Sequence, residues 1–289
     1  MTKSKRADDR PLQLIEGDSV SAVYAKVLLH ILDHPGTEIA PLVLSIGGFD
    51  QGYDIPEDAR VRQAMDLVLA AKGKTSVEDV AFTIFPQRFW QMAQGDRAAL
   101  FQFYGMAFPF YRARNRKANG RGLYFERLTM FGRGPCNGNQ LEWILKQYKS
   151  RPGVRRSMFQ ATTFDPERDH DATAQLPFPC LQQLSFVPTD DGLVANAFYA
   201  TQQLFDKAYG NYLGLAQLAA FMAHEMGMPL ARLNVTVGVA KLERITKTSP
   251  ALRPLAAAAR ACLTPPASNP VPVSPAIQTP AAAYATPPA

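Results

Sequence analysis

The sequence predicts an α+β fold built around one large buried central helix, and three observations carry that reading. Residues 211–226 are apolar on nearly every side of a helical wheel, so this segment has no face left for water and belongs in the middle of a domain. Residues 19–33 set Val20, Val23, Tyr24, Val27, Leu28 and Ile31 at helical spacing, the pattern of an amphipathic helix laid on a core. Short apolar runs such as residues 39–49 and 233–240 are bounded by glycine or proline and read as strands between the helices.

Taken in order, the first helix stops at His34-Pro35-Gly36 and the strand over residues 39–49 ends in a glycine turn. Pro56-Glu57-Asp58 opens a second helix that runs to Gly73, because proline and acidic residues suit a helix start and glycine its end. Thr75-Ser76-Val77-Glu78-Asp79 resembles another start. The aromatic-rich residues 95–111 read as a packed helix, residues 124–131 as strand-like, and residues 132–138 as a loop. Asn139 caps a helix carrying Leu141, Ile144, Leu145 and Tyr148, and residues 157–163 form a strand. Asp191-Gly192 supplies the positive dihedrals of a tight hairpin before a strand over residues 193–199, and Gly227 ends the central helix. A short alanine-rich helix fits after Ser249-Pro250.

At 289 residues with 47% hydrophobic content the chain has ample material for a full core, in one large domain or two. Residues 1–16 are polar and charged and are expected to be a mobile arm; residues 17–262 make up the folded domain. The stretch 263–289 is rich in Pro and Ala, cannot bury enough surface to offset its chain entropy, and is expected to be disordered. No apolar run of about 18 residues and no leader pattern occurs, so no membrane association and a cytoplasmic location are expected. Cys136, Cys180 and Cys262 are too few and too far apart for a disulfide framework, and His30, His34, His170 and His224 form no ligand motif. The formal charge of +6 favours anionic partners only weakly. Much of it lies in Arg112, Arg114, Arg116, Lys117 and Arg121, which read as a solvated or subunit-contacting loop because no nucleic-acid motif accompanies them.

The segment Leu176-Pro177-Phe178-Pro179-Cys180, set before the apolar Leu181-Gln182-Gln183-Leu184-Ser185-Phe186-Val187, holds the best candidate for chemistry. Most free cysteines are small buried hydrophobes. A reactive one needs partial exposure and nearby positive charge or donors to be a thiolate.

An ordered series surrounds that cysteine. It consists of the Tyr124 segment, Asn139-Gln140-Leu141, Pro152-Gly153-Val154-Arg155-Arg156, Ala161-Thr162, Pro179-Cys180, the Asp191-Gly192 hairpin, the strand through Tyr199, Asn211 and the Gly238 strand. In order and spacing this series resembles the thymidylate synthase family, which includes the cytidylate hydroxymethylases. The resemblance implies a mixed sheet layered with helices, and a one-carbon transfer, methyl or hydroxymethyl, at C5 of a pyrimidine nucleotide or modified nucleoside. It makes Cys180 the nucleophile that adds to C6, and 5,10-methylenetetrahydrofolate the one-carbon donor. It further implies a homodimer in which Arg155 and Arg156 reach the phosphate in the partner's site, guanidinium forks being suited to phosphate oxygens. Asn211 would bind the base edge with one donor and one acceptor, which suits uracil, while Tyr124, Lys241 and Glu243 would complete the substrate contacts. A looser match places Asp66 where the family has a catalytic glutamate.

Several positions depart from the family's pattern. Thr201-Gln202 stand in place of a phosphate-binding Arg-Ser, Lys241-Leu242-Glu243 in place of a ribose-binding His-x-Tyr, and Leu181 follows the cysteine where His is usual. Glu38-Ile39-Ala40-Pro41 has no phosphate arginine, and the family's closing C-terminal segment is missing or replaced by the Pro-Ala tail. The competing reading is therefore a catalytically inactive homodimeric binding or accessory protein on the same fold.

Overall fold

The structure is a computed structural model and describes residues 12–49, 55–114, 116–119, 122–150, 153–170 and 178–264. It opens with strand β1 (Gln13–Gly17) and helix α1 (Val20–Asp33). The Ser19 side chain accepts the Ala22 N–H at 3.1 Å and so starts the helix, and all six of the apolar positions read from the spacing are buried. Strands β2 (Glu38–Ile39) and β3 (Leu42–Ile46) follow. A run of helices comes next: α2 (Ala59–Ala71), α3 (Val77–Phe82), α4 (Gln87–Met92), α5 (Arg97–Arg114), α6 (Arg116–Asn119), α7 (Tyr124–Thr129) and α8 (Gln140–Ser150). The remainder is β4 (Gln160–Thr162), α9 (Pro166–Asp169), β5 (Leu181–Thr189), β6 (Gly192–Gln203), α10 (Ala208–Met226), β7 (Leu230–Lys241) and α11 (Leu252–Leu263).

The strands form one mixed sheet in the order β1-β3-β7-β6-β5-β4, with β2 also on β7. β1 with β3 and β6 with β7 are parallel; the other pairs are antiparallel. Helix α10 lies on β6 and β7, with α1, α3 and α8 around it, and every one of its residues except His224 is buried. That is the large buried central helix the sequence predicts. Its Gly210 and Gly214 let α3 close on it, since a Cβ at Gly214 would lie 2.6 Å from the Ala81 carbonyl oxygen. Among the described residues no helix covers the other face of the sheet. There Phe198 is 40% exposed, and Ser45, Asn234, Asn196 and Ser185 form a cross-strand ladder with three hydrogen bonds of 3.0 Å each.

Several expectations need correction. Residues 13–16, assigned to a mobile arm, are strand: β1 pairs with β3 from Gln13↔Leu42 to Gly17↔Ile46. The earlier part of that arm and the tail from residue 265 lie outside the described residues. Residues 124–131 are not a strand; they begin with α7, whose six residues are too short to display a helical period. Its Phe125 and Leu128 enter the core three positions apart, and the intervening Glu126 and Arg127 are buried in ion pairs. Of the strand expected over residues 157–163, only Gln160–Thr162 pairs, after a short 3-10 turn at Arg156–Met158. The basic run is helical as far as it is described, carried by the end of α5 and by α6, with its described arginines exposed, and Arg121 lies outside the described residues. The hairpin turns at Asp190 and Asp191, with Gly192 alone at positive φ (126°). No described helix is long and apolar enough to cross a membrane.

Candidate active site

Cys180 lies on the wall of a cavity of about 460 Å3, between α7, the end of β6 and the start of α10. Its backbone is held from two sides. The Ala200 N–H donates to the Cys180 carbonyl at 2.9 Å, and the next N–H, that of Leu181, donates to the Tyr124 hydroxyl oxygen at 3.4 Å. Thr163 adds a hydroxyl donated to the Leu181 carbonyl. The thiol itself is partly exposed, with Sγ 3.6 Å from the Thr201 hydroxyl and 3.9 Å from the Phe178 carbonyl. Pro179 is buried behind it and Phe178 is exposed at the rim.

Tyr124 opens α7 and Asn211 stands in the first turn of α10, and both line the same cavity as Cys180. Burial first, and then the neighbouring Cys180, hold the Tyr124 phenol above its ordinary range, so it enters the site as a neutral hydroxyl. The Asn211 carboxamide makes no hydrogen bond among the described residues, which leaves one donor and one acceptor for a ligand. Asn211 lies inside the helix rather than opening it, because α10 begins three residues earlier at Ala208.

Arg127 forms the floor beside Tyr124. Its guanidinium meets Asp169 with two hydrogen bonds of 2.7 and 2.8 Å and the Thr163 carbonyl at 2.7 Å, and the whole group is buried. Gln140, near the N-terminus of α8, locks this corner: its amide donates to the Arg127 and Thr162 carbonyls and accepts from the Thr162 N–H. The Asn-Gln-Leu motif thus acts by fastening α7 to β4, with Asn139 accepting the Glu142 N–H at 2.9 Å as the expected cap.

At the other end of the cavity are Gln202, Gln203, Lys207 and Arg244. Gln202 is 2% exposed; its Oε1 accepts the Tyr212 hydroxyl at 2.7 Å, while its Nε2 is buried without a partner. Lys207 stands at the N-cap of α10, where burial lowers its pKa against the opposing pull of Asp206. Arg244 and Lys74 both pair with Asp206, at 3.0 and 3.2 Å.

The remaining sequence candidates fall elsewhere. Lys241 pairs with Glu38 at 2.8 Å, and Glu243 accepts from the Gln203 amide at 3.3 Å; they flank the cavity without lining it. Arg155 and Arg156 are exposed, and Arg156 borders a separate cleft beside Tyr148 and Asp190. Asp66 is not part of the cavity wall. It accepts from Arg62 at 2.7 Å and from the Val77 N–H at 3.0 Å, tying α2 to the start of α3. Lys207, Arg244 and Arg127 escaped the sequence reading: each is a lone basic residue with no local pattern, and only their convergence marks them.

No protein-family model matches this chain, and no curated protein matches it.

Proposed function

We propose that this chain is a divergent thymidylate synthase-like transferase that adds a one-carbon unit, methyl or hydroxymethyl, at C5 of a pyrimidine nucleotide or modified nucleoside. One observation carries the reading: Cys180, Tyr124 and Asn211, which the resemblance names from three distant parts of the chain, line one cavity. Its volume of about 460 Å3 suits a ligand of nucleotide size. In this reading the Cys180 thiolate donates its pair to C6, forming the S–C6 bond, and the C5=C6 pair moves toward the ring carbonyl as an enolate. C5 thereby becomes the nucleophile. Asn211 holds the base edge, and Tyr124 keeps the segment that carries Cys180 in place through the Leu181 N–H. The exposed Phe178 ring offers an apolar surface to the flat ring of a reduced folate, and 5,10-methylenetetrahydrofolate would supply the electrophilic carbon.

The same reading makes the protein a homodimer. The open sheet face, with Phe198 at its centre and Leu14 52% exposed at its edge, is the surface a second copy would cover. Arg155 and Arg156, exposed and away from their own cavity, are free to reach a partner's. Ultracentrifugation that finds only monomer would remove the dimer.

The inactive binding protein is the second reading, and a specific observation favours it. Asp66 and Lys241 are engaged in contacts outside the cavity, and Glu243, itself off the cavity wall, is taken up by the Gln203 amide. Mass spectrometry separates the two. The protein and Cys180→Ala are incubated with 5-fluoro-dUMP and methylenetetrahydrofolate, and in parallel with the cytidine and ribonucleotide analogues. Fluorine at C5 blocks the last proton loss and traps the adduct. A covalent adduct that requires Cys180 is the expected result; no adduct with any analogue overturns the transferase.

A further inference from the structure

We propose that the cavity carries its own anion subsite, in which Lys207, Arg244 and the Gln202 amide hold a phosphoryl group of the ligand from within the same subunit. Gln202 lines the cavity, its Oε1 accepts the Tyr212 hydroxyl, and its Nε2 is a buried donor without a partner among the described residues. Leaving such a group unpaired is costly, and a ligand oxygen in the cavity removes the cost once the Gln202 side chain turns toward it. Lys207 has the same deficiency in charged form: it is largely withdrawn from water, lines the cavity, and makes no ion pair among the described residues. Its neighbour Asp206 is already shared by Lys74 and Arg244, and Asp79, the other carboxylate felt at Lys207, is hydrogen-bonded to Ser76 at 2.8 Å. Three cations therefore crowd one buried carboxylate. Lys207 also stands at the N-terminus of the 19-residue α10, which no side chain caps, so the helix dipole adds to the pull on an anion.

Cys180 and Lys207 line one cavity, so a single ligand can meet both. Thr201 touches the thiol, and β6 runs on to Gln203, roughly 7 Å further at about 3.3 Å per residue, before the chain turns into Lys207. The identity of the ring rests on the transferase reading; the anion subsite does not. It also answers the loss of Arg-Ser at Thr201-Gln202, since the positive charge is supplied a few residues later instead.

The test uses the full chain with Cys180→Ala, so that no adduct forms, and measures binding of dUMP, deoxyuridine and inorganic phosphate by calorimetry, with and without Lys207→Met. Loss of a charge-assisted contact should lower the preference for dUMP over deoxyuridine by about tenfold or more, leaving deoxyuridine affinity unchanged. Lys207→Arg should recover part of that preference, and circular dichroism checks that each variant folds. A preference unaltered by Lys207→Met overturns the subsite. If neither uracil compound binds, phosphate decides alone. Phosphate binding that is lost in Lys207→Met upholds the subsite and discards the uracil ligand, and no phosphate binding at all overturns the subsite.

Discussion

Replacing Asp169 by leucine would take the Asp169 carboxylate away from the buried Arg127 while leaving the guanidinium in place. The pair is bidentate at 2.7 and 2.8 Å, with side chains 3% and 0% exposed, so water cannot take over the role of the lost acceptor. Removing one member of such a pair costs about 3–5 kcal/mol, because the buried guanidinium loses its bidentate carboxylate acceptor. Asp169 also accepts the Asp165 N–H at 2.9 Å, a contact that adds about 1 kcal/mol. For a domain of this size a loss of about 4 kcal/mol lowers Tm by roughly 10 °C. Arg127→Met combined with Asp169→Leu removes both charges and should recover most of the loss, since an apolar pair of similar volume replaces a buried ion pair at little cost. Urea unfolding of the four proteins completes the cycle. A loss below about 1 kcal/mol for Asp169→Leu, or a double variant as weak as the sum of the two single ones, refutes the argument that this pair holds α7 and the Tyr124 wall in place.

Three further outcomes test the packing and one helix start. Gly214→Ala should destabilise by about 1–3 kcal/mol, because its Cβ meets backbone at Ala81, even though alanine is the better helix former by about 1 kcal/mol; a gain in Tm would refute the close approach of α3 and α10. Asp58 caps α2, and its side-chain hydrogen bond with Arg60 holds its pKa down at about 2 from 3.8. This stabilisation is complete above pH 3.8 and fades as the pH falls through about 2, so Asp58→Asn should flatten that part of the acid-unfolding profile; an unchanged profile would refute the assignment. At neutral pH Asp58→Ala should cost about 1 kcal/mol, the usual worth of an N-cap.

Legibility in the sequence followed locality. The start of α1 at Ser19, the cap at Asn139 and the reversal before Gly192 are set by side chains bonding to backbone within a few residues, and a linear reading finds them. Helix α7 was missed because its turn is made by partners far along the chain, with Arg168 pairing Glu126 and Asp169 pairing Arg127. β1 was missed for a similar reason: Gln13–Gly17 has little apolar pattern and becomes strand by pairing with β3. Of the candidate site, Cys180, Tyr124 and Asn211 were named from their order along the chain. The cavity's opposite pole was not, because Lys207 and Arg244 are ordinary basic residues until β6, α10 and the end of β7 bring them together.

By itself the sequence determined that this chain mixes helices and strands around an all-apolar helix that must be buried, and it marked one cysteine behind a proline, because periodicity, capping and turn chemistry act over a few residues. Tertiary structure alone decided the strand order, which face of the sheet stays open, and which polar side chains share a cavity with that cysteine. Those outcomes depend on contacts between residues tens to more than a hundred positions apart, such as Ser21 with Tyr209 and Arg97 with Glu225, whose energies are realised only when the whole core closes.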